Sequence, residues 1–401
     1  MPFLARKSEK RLLRKVYMEE KYIVEKGTSD IFDEYIDLIN YSFGFNGRDS
    51  SFPKLLPKLF GKGSSASEHT HFVKDADSGK LLACVGSFPI DFNICGEKVK
   101  AFGIGNVAVH PRYRGKGYMK AAMAAAFNEM REEGADMALL SGRRHRYNYF
   151  GFEKCGTDSV YTLTKKTVSY VNPDLHTDLQ MKIISKEDSD TLDAILALQN
   201  TRNYRAERSR EKLYDILVSW EATPYAFYKQ NEFAGWAVVK GNTVTELVPA
   251  DIDFVPDMVT ALSTLNFEMR YLIPEFERPV GDAMLKYAET VYTGADLCFS
   301  IFNYEKMISL LLKLKAAETD LIDGQIAVKI NGFFGEESLL ISVKSGVPDV
   351  RKTDNKPDIT LEHLEAMQFF FFEKTPLRNS VPTTPRSWFP LCIYVHSPDN
   401  V

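Results

Sequence analysis

Cysteine is scarce in this chain of 401 residues: there are five, Cys84, Cys95, Cys155, Cys298 and Cys392, with no Cys-x-x-Cys pair among them. That argues against a disulfide scaffold and a cysteine zinc site, and predicts reduced, buried thiols in a cytoplasmic protein. The seven histidines are equally scattered. His69 and His71 fall on one face of a predicted strand with no third ligand nearby, so they read as surface strand residues and no metal is expected. Also missing is any apolar run long enough to span a bilayer, so no membrane partner is expected. The net charge is only −4, which argues against nucleic acid as the main partner. One basic stretch, Arg6-Lys7 to Arg14-Lys15, is interrupted by Leu12 and Leu13 and followed by Glu19 and Glu20. It reads as a solvated arm, neither a signal peptide nor a nucleic-acid tail.

What is present is a globular composition, 44% hydrophobic and 26% charged, on a length that implies two to four domains. After a short strand, Phe32, Tyr35, Ile36 and Ile39 recur at helical spacing behind Asp30 as a cap. Gly44 to Ser67 reads as a long connection, of the kind that lies beside a pocket. His71 to Val73, Leu81 to Ile90 and Val99 to Val109 predict an antiparallel meander. A helix then carries Met119, Ala122, Met123, Ala126 and Met130 on one face and stops at Gly134. Met137 to Leu140 reads as a short strand parallel to the last, followed by Tyr147-Asn148-Tyr149-Phe150-Gly151-Phe152 and a further strand to about Thr164.

From Pro173 to about Glu289 the same order recurs: a strand at Met181 to Ile184, a helix at Leu192 to Leu198, a hairpin at Ala226 to Val239, a strand at Thr243 to Val248 and a helix at Val255 to Met269. Its turn, Pro249-Ala250-Asp251-Ile252-Asp253, has no glycine and two acids, so this unit looks like a copy that has lost an anionic ligand. The last part, from Gly294, opens with a strand at Cys298 to Phe302 and a helix at Met307 to Leu314. Two strands around Asn331-Gly332 and a helix at Leu361 to Phe371 follow. Its run Phe369 to Phe372 reads as core.

The chemistry is expected at Val107-Ala108-Val109-His110-Pro111-Arg112-Tyr113-Arg114-Gly115-Lys116-Gly117-Tyr118-Met119-Lys120. Here an apolar strand breaks into a basic, glycine-bearing turn that opens a helix. The N–H groups at such a helix start form an anion site, and a phosphate is its natural ligand.

This strand, Arg-x-x-Gly turn and helix resembles the acetyl-CoA signature of the GNAT superfamily of N-acetyltransferases. The register Arg114, Gly117, Met119 is preferred over Arg112, Gly115, Gly117 because it sets Gly117 at the helix mouth. Met119 stands where the superfamily usually has Gly or Ala, a departure similar to the Eis-like (enhanced intracellular survival) branch. The resemblance extends over the whole chain. It implies an α+β fold of tandem GNAT-type mixed sheets flanked by helices, with an active unit in 1–165 and a degenerate one in 173–290. A sterol-carrier-protein-like α+β domain would occupy 294–401.

By the same resemblance acetyl-CoA is the co-substrate. Gly115, Lys116, Gly117, Tyr118, Met119 and Lys120 would hold its pyrophosphate, with Arg114 adding charge. The strand Val107, Ala108, Val109 would pair with the pantetheine, and the Val109 N–H would polarise the thioester carbonyl. Tyr147 would be the general acid, with Tyr149 as its rival and His145 as a minor alternative base. The α-carboxylate of Val401 would be the base, with Asp399 as a substitute. The acceptor would be a primary amine of a small polycation of aminoglycoside or polyamine type; protein lysine acetylation, or a non-catalytic CoA- or lipid-binding module, is the alternative. Assembly as a homo-oligomer, a hexamer, is also implied.

Overall fold

The computed structural model describes residues 22–44 and 51–401; the basic stretch Arg6 to Lys15 lies outside them. Four strands, β1 (Tyr22–Lys26), β2 (Thr70–Asp75), β3 (Leu81–Ile94) and β4 (Glu97–Val109), form an antiparallel meander. The β3–β4 hairpin closes on Cys95-Gly96 with φ of 52° and 85°, the left-handed pair that a two-residue hairpin requires. Helix α1 (Phe32–Gly44) buries Tyr35, Leu38 and Ile39 on one face of this sheet. Helix α2 (Tyr118–Glu132) buries Tyr118, Ala122, Met123, Ala126, Phe127 and Met130 on the other. The entry to α1 differs from expectation: a 3-10 turn, Ser29–Ile31, precedes it, and Thr28 rather than Asp30 stands at the N-cap position of that turn.

After α2, β5 (Met137–Leu140) lies parallel to β4, and β6 (Glu153–Lys154) follows a single helical turn, Arg144–Tyr147, and a 3-10 turn, Asn148–Phe150. The next strand, β7 (Asp158–Thr164), does not close this sheet. It pairs with β13 (Glu268–Pro274) and β14 (Thr290–Gly294) in a second, seven-stranded sheet. In exchange, β15 (Cys298–Ile301), expected with the last part of the chain, inserts between β5 and β6 of the first sheet. The second sheet otherwise holds β8 (Gln180–Ile183), β10 (Thr223–Lys229), β11 (Glu232–Lys240) and β12 (Thr243–Pro249). The short strand β9 (Tyr204–Ala206) leaves it to pair with β3. The helix expected to run to Met269 ends at Leu262, because Ser263 and Thr264 turn their hydroxyls onto Thr260 O and Ala261 O, and Met269 belongs to β13.

The last four strands, β16 (Gly324–Asn331), β17 (Glu336–Lys344), β18 (Val347–Lys352) and β19 (Ile359–Glu362), form a third sheet. Beside its helices, Tyr304–Ala316 and His363–Phe371, three of the four residues of the phenylalanine run, Phe369, Phe370 and Phe371, are completely buried in the core, and Phe372 is half-buried. The second of these helices starts two residues later than expected because Ile359–Glu362 pairs with β16 and Glu362 caps the helix.

Two further expectations are corrected. His71 is not a surface residue; it is buried beneath α2, with Nε2 3.5 Å from Glu129 Oε2. The connection after Gly44 is not bare loop either. It carries the short helices Phe52–Leu55 and Pro57–Phe60, whose Phe52 and Phe60 pack into the cluster beneath α1. All five cysteines are free.

The third unit is locked to the first by His363. Its Nε2 lies 2.8 Å from Gly151 O and 3.0 Å from Ser300 Oγ, and Nδ1 lies 3.1 Å from the Tyr304 hydroxyl. Burial pushes this imidazole down from 6.5 to about 4, slightly opposed by the bond to Gly151. The fold therefore favours the neutral ring. The stability that this supplies is complete above pH 6.5 and is lost as pH falls toward 4, to a limit on the order of 3 kcal/mol. Urea midpoints compared at pH 7 and pH 5 are expected to fall for the natural chain and to fall less for His363→Gln; equal slopes would show that His363 is not the group responsible.

Candidate functional site

The site begins where a hydrogen-bond ladder stops. Strand β4 pairs with β5 over only three positions, Ala101 with Met137, Phe102 with Ala138 and Gly103 with Leu139. Beyond Gly103 the two strands part, while β4 keeps its pairing with β3 as far as Val109. Within that stretch the β3–β4 register slips between Cys84 and Gly86, and the extra residue on β4 is Asn106, at φ 51°. Its left-handed backbone is fixed by bonds from Asn106 Nδ2 to the Tyr35 hydroxyl, 3.2 Å, and from Cys84 Sγ to Asn106 O, 3.2 Å.

A bulge of one residue reverses which side chains face which way. Phe102 and Ile104 before it, and Val107 and Val109 after it, all pack on the α2 face. Gly103, Gly105 and then Ala108 point to the α1 face. The main chain turns with them. His110 N donates to Leu82 O, so Ala83 and Val109 form the non-hydrogen-bonded pair of the ladder. The Val109 N–H is thereby directed away from β3, toward the side that β5 has vacated.

At the end of β4, Pro111–Tyr113 forms a single 3-10 turn. Gly115 and Gly117 follow at φ 85° and 87°, and Gly117 is the N-cap of α2 with no side-chain cap. A Cβ at either glycine would meet nothing within 4 Å, so both backbones face open space. Arg114, Gly115, Lys116, Gly117 and Lys120 are exposed, whereas Tyr118 is buried and Met119 half-buried against the α2 cluster. Glycines at positive φ, an uncapped helix start and flanking cations suit a pyrophosphate. Lys120 Nζ sits 4.3 Å above the ring of Tyr149.

Tyr147 and Tyr149, two residues apart, have different surroundings. Tyr149 is 57% exposed and Tyr147 only 7%. The Tyr147 ring lies against Gly142, where a Cβ would come within 2.3 Å of its Cε2, and packs edge-on to Phe152. Burial pushes its phenol upward, partly opposed by Arg146. It therefore stays protonated and can act as a donor. Of its neighbours, Arg144 is a structural residue, its guanidinium paired with Glu153. His145 is exposed.

The chain terminus is not frayed. Val401 is buried in the α1-side cluster, 8% exposed, with Phe88, Cys84 and Ala108. Its Cγ2 lies 2.3 Å from where a Gly103 Cβ would stand, and its carboxyl carbon 3.5 Å from that of Gly105. The preceding residue, Asn400, donates from Nδ2 to Ser141 Oγ at 3.0 Å, just past the end of β5. Tyr147 thus packs on the α2 face beside Gly142, and Val401 lies on the α1 face with its carboxyl carbon against Gly105 of β4. Asp399 has no freedom to replace Val401, since both its oxygens are held by Arg208 at 2.8 and 2.7 Å.

Several of these residues carry no motif. Lys58, buried on the connection before β2, donates from Nζ to Pro398 O at 2.5 Å and Asn400 O at 2.6 Å. Burial pushes its ammonium down to about 7, against the pull of Asp399. Asn106, Ser141, Arg208 and Trp220 are likewise single polar residues whose roles depend on distant partners. In the second unit, Asp251 accepts from Asp253 N and caps the turn at Ile252–Phe254. The turn after β12 thus carries a side-chain cap, where the turn after β4 carries two glycines at positive φ.

Residues 24–155 match the family model described as an acetyltransferase (GNAT) domain. No curated protein matches the sequence. Among solved structures, a probable N-acyltransferase from Enterococcus faecalis V583 is 17% identical, with a TM-score of 0.61, over 87% of this chain and 89% of that one. A GCN5-related N-acetyltransferase from Anabaena variabilis is 13% identical, with a TM-score of 0.63, over 87% and 89%. Eis1 from Mycobacterium abscessus is 13% identical, with a TM-score of 0.62, over 94% and 98%. The segment that builds the gap and the glycine turn is thus the segment that matches the GNAT domain, and nearly the whole chain shares its mixed α+β fold with these structures.

Proposed function

We propose that this chain is an N-acetyltransferase that moves an acetyl group from acetyl-CoA directly to a primary amine. The observation that carries the reading is the gap between β4 and β5, which opens beyond Gly103 on the strand that runs into the glycine turn, with Tyr147 packed on one face of the sheet and Val401 on the other. Gly115 to Lys120 and Arg114 hold the pyrophosphate. Val107 to Val109 present a strand edge to the pantetheine amides. The free amine attacks the thioester carbon, and the Val109 N–H donates to the oxygen as negative charge builds there. Tyr147 gives its proton to the departing thiolate, and the Val401 carboxylate takes the proton of the attacking amine. No side chain forms a covalent intermediate; burial pushes Cys84 and Cys392 up to about 12, far from a reactive thiolate.

The acceptor is a small polycation of aminoglycoside or polyamine type, the class implied by resemblance to Eis-like enzymes. In this reading the first unit is catalytic, the second is a degenerate copy and the third is the sterol-carrier-like domain. The five free thiols support a reducing, cytoplasmic setting. Assembly into a homo-oligomer, a hexamer, follows from the same resemblance.

Release of CoA thiol from acetyl-CoA, with spermine and tobramycin as acceptors, tests the activity; no release with any primary amine would leave a binding module. Tyr147→Phe is expected to lower kcat by about 10²-fold or more while the Kd for acetyl-CoA is unchanged. Full turnover by that variant would remove Tyr147 as the acid. Gly117→Ala forces a side chain into a left-handed position and is expected to weaken acetyl-CoA binding about tenfold by calorimetry. Unchanged affinity would argue against the turn as the cradle.

A further inference from the structure

The last eight residues, Tyr394 to Val401, contain no strand or helix, only a turn, yet six of them are buried. A terminus that makes no ladder ordinarily frays. This one is held by side chains from elsewhere, most of them from the second unit. Arg202 Nη2 reaches His396 Nε2 at 2.8 Å, and the Tyr204 hydroxyl donates to Tyr394 O at 2.8 Å. Arg208, wholly buried, grips Asp399 through two bonds and Glu246 through two more, at 3.1 and 2.9 Å. Trp220 Nε1 donates to Asn400 O at 3.2 Å, beside the two bonds from Lys58 to Pro398 O and Asn400 O.

We infer that the second unit, together with Lys58, is a clamp that positions the terminal carboxylate for the transfer; the inference rests on the reading of Val401 as the base. Three features distinguish a clamp from ordinary packing. The bonds gather at Asp399 and Asn400, and two of them meet on the carbonyl of the peptide between Asn400 and Val401, whose N–H is itself taken by Asn400 Oδ1 at 3.0 Å. Asn400 is fixed on its other side by Ser141, so the last residue has a set direction as well as a set place. Trp220 also holds a left-handed backbone, φ 65° and ψ 25°, in a residue that touches the tail. Such conformations persist where the surroundings impose them, and they gather at sites where geometry matters. Arg208, Trp220, Glu246 and Lys58 are positioning residues: none of them touches the gap, and each acts through the tail.

The test compares Asp399→Asn, Trp220→Phe and a chain lengthened by one glycine after Val401, with tobramycin as acceptor and carboxypeptidase as a probe of the tail. The lengthened chain and Asp399→Asn are each expected to lower kcat about tenfold or more with an unchanged KM for acetyl-CoA, since a base misplaced by about an ångström loses that much. In Asp399→Asn, carboxypeptidase is expected to release Val401 about tenfold faster than from the natural chain. Trp220→Phe leaves the Arg208 bonds intact, so it reports on the clamp if Asp399→Asn fails to fold, with a smaller fall in kcat of about threefold. If lengthening lowers kcat while both substitutions keep the natural kcat and resistance to carboxypeptidase, the clamp is wrong and the base assignment stands. If lengthening has no effect, the carboxylate has no part in the reaction, and the base assignment and the clamp fall together. A fall in kcat matched by a rise in KM for acetyl-CoA and by loss of cooperative unfolding would assign the cluster to stability alone and overturn the clamp.

Discussion

The structure turns on the point at which β4 ceases to pair with β5. Backbone N–H and C=O groups inside a protein are almost always bonded, so a ladder that stops after three pairs must have a reason and a consequence. The reason lies on the opposite edge of the strand. Asn106 occupies a left-handed conformation that costs on the order of 1–3 kcal/mol for a residue other than glycine, and Tyr35 and Cys84 hold it there. The extra residue bends β4, turns Val107 and Val109 onto the α2 face and leaves the Val109 N–H directed toward the vacated side. The consequence is a strand edge that can accept an extended ligand as if it were another strand.

That edge is useful only if reactive groups reach it, and the chain path brings them. β7 leaves the first sheet for the second, and β15 returns to take a place beside β5. The crossing ties three units into one body, with β9 paired to β3 and His363 bonded to Gly151 as further seams. It also allows residue 401 to lie in the first unit, over Gly103 and Gly105. A Cβ at Gly103 would collide with Val401 Cγ2, so the missing side chain there lets the last residue lie directly against the backbone of β4.

Much of this was legible in the sequence. The meander, the glycine turn, the helix behind it and β5 follow from periodicity and turn chemistry, because each is decided within about fifteen residues. Strand exchange was not legible: Asp158–Thr164 reads as a strand by composition, but nothing local says which sheet will take it. The burial of His71 was not legible either, since nothing near it in sequence says that α2 will lay Glu129 over it. At the site, Gly115 and Gly117 were visible as glycines that a turn needs. Arg208, Glu246 and Lys58 were not, since a lone arginine in a loop and a glutamate in an apolar strand acquire meaning only from partners 38 to 342 residues away. The one available signal was Glu246 within Thr243 to Val248, a charge in a strand otherwise suited to a core.

That buried charge bears on what the second unit supplies to the first. Burial alone would raise the Glu246 carboxyl; Arg208, with His396 and Arg202 behind it, outweighs burial and holds it at about 2. Replacing such a cluster with apolar side chains of equal volume commonly leaves a protein as stable or more so, so net stability is a weak explanation for it. What the cluster supplies is direction. A planar guanidinium with both edges engaged has one orientation, and it imposes that orientation on the carboxylates that flank it. In the second unit the Asp251 carboxylate caps the 3-10 turn Ile252–Phe254, and β12 presents Glu246 to Arg208, which is fixed in turn against Asp399. The rigidity of the second sheet thus reaches a tail that packs in the first unit.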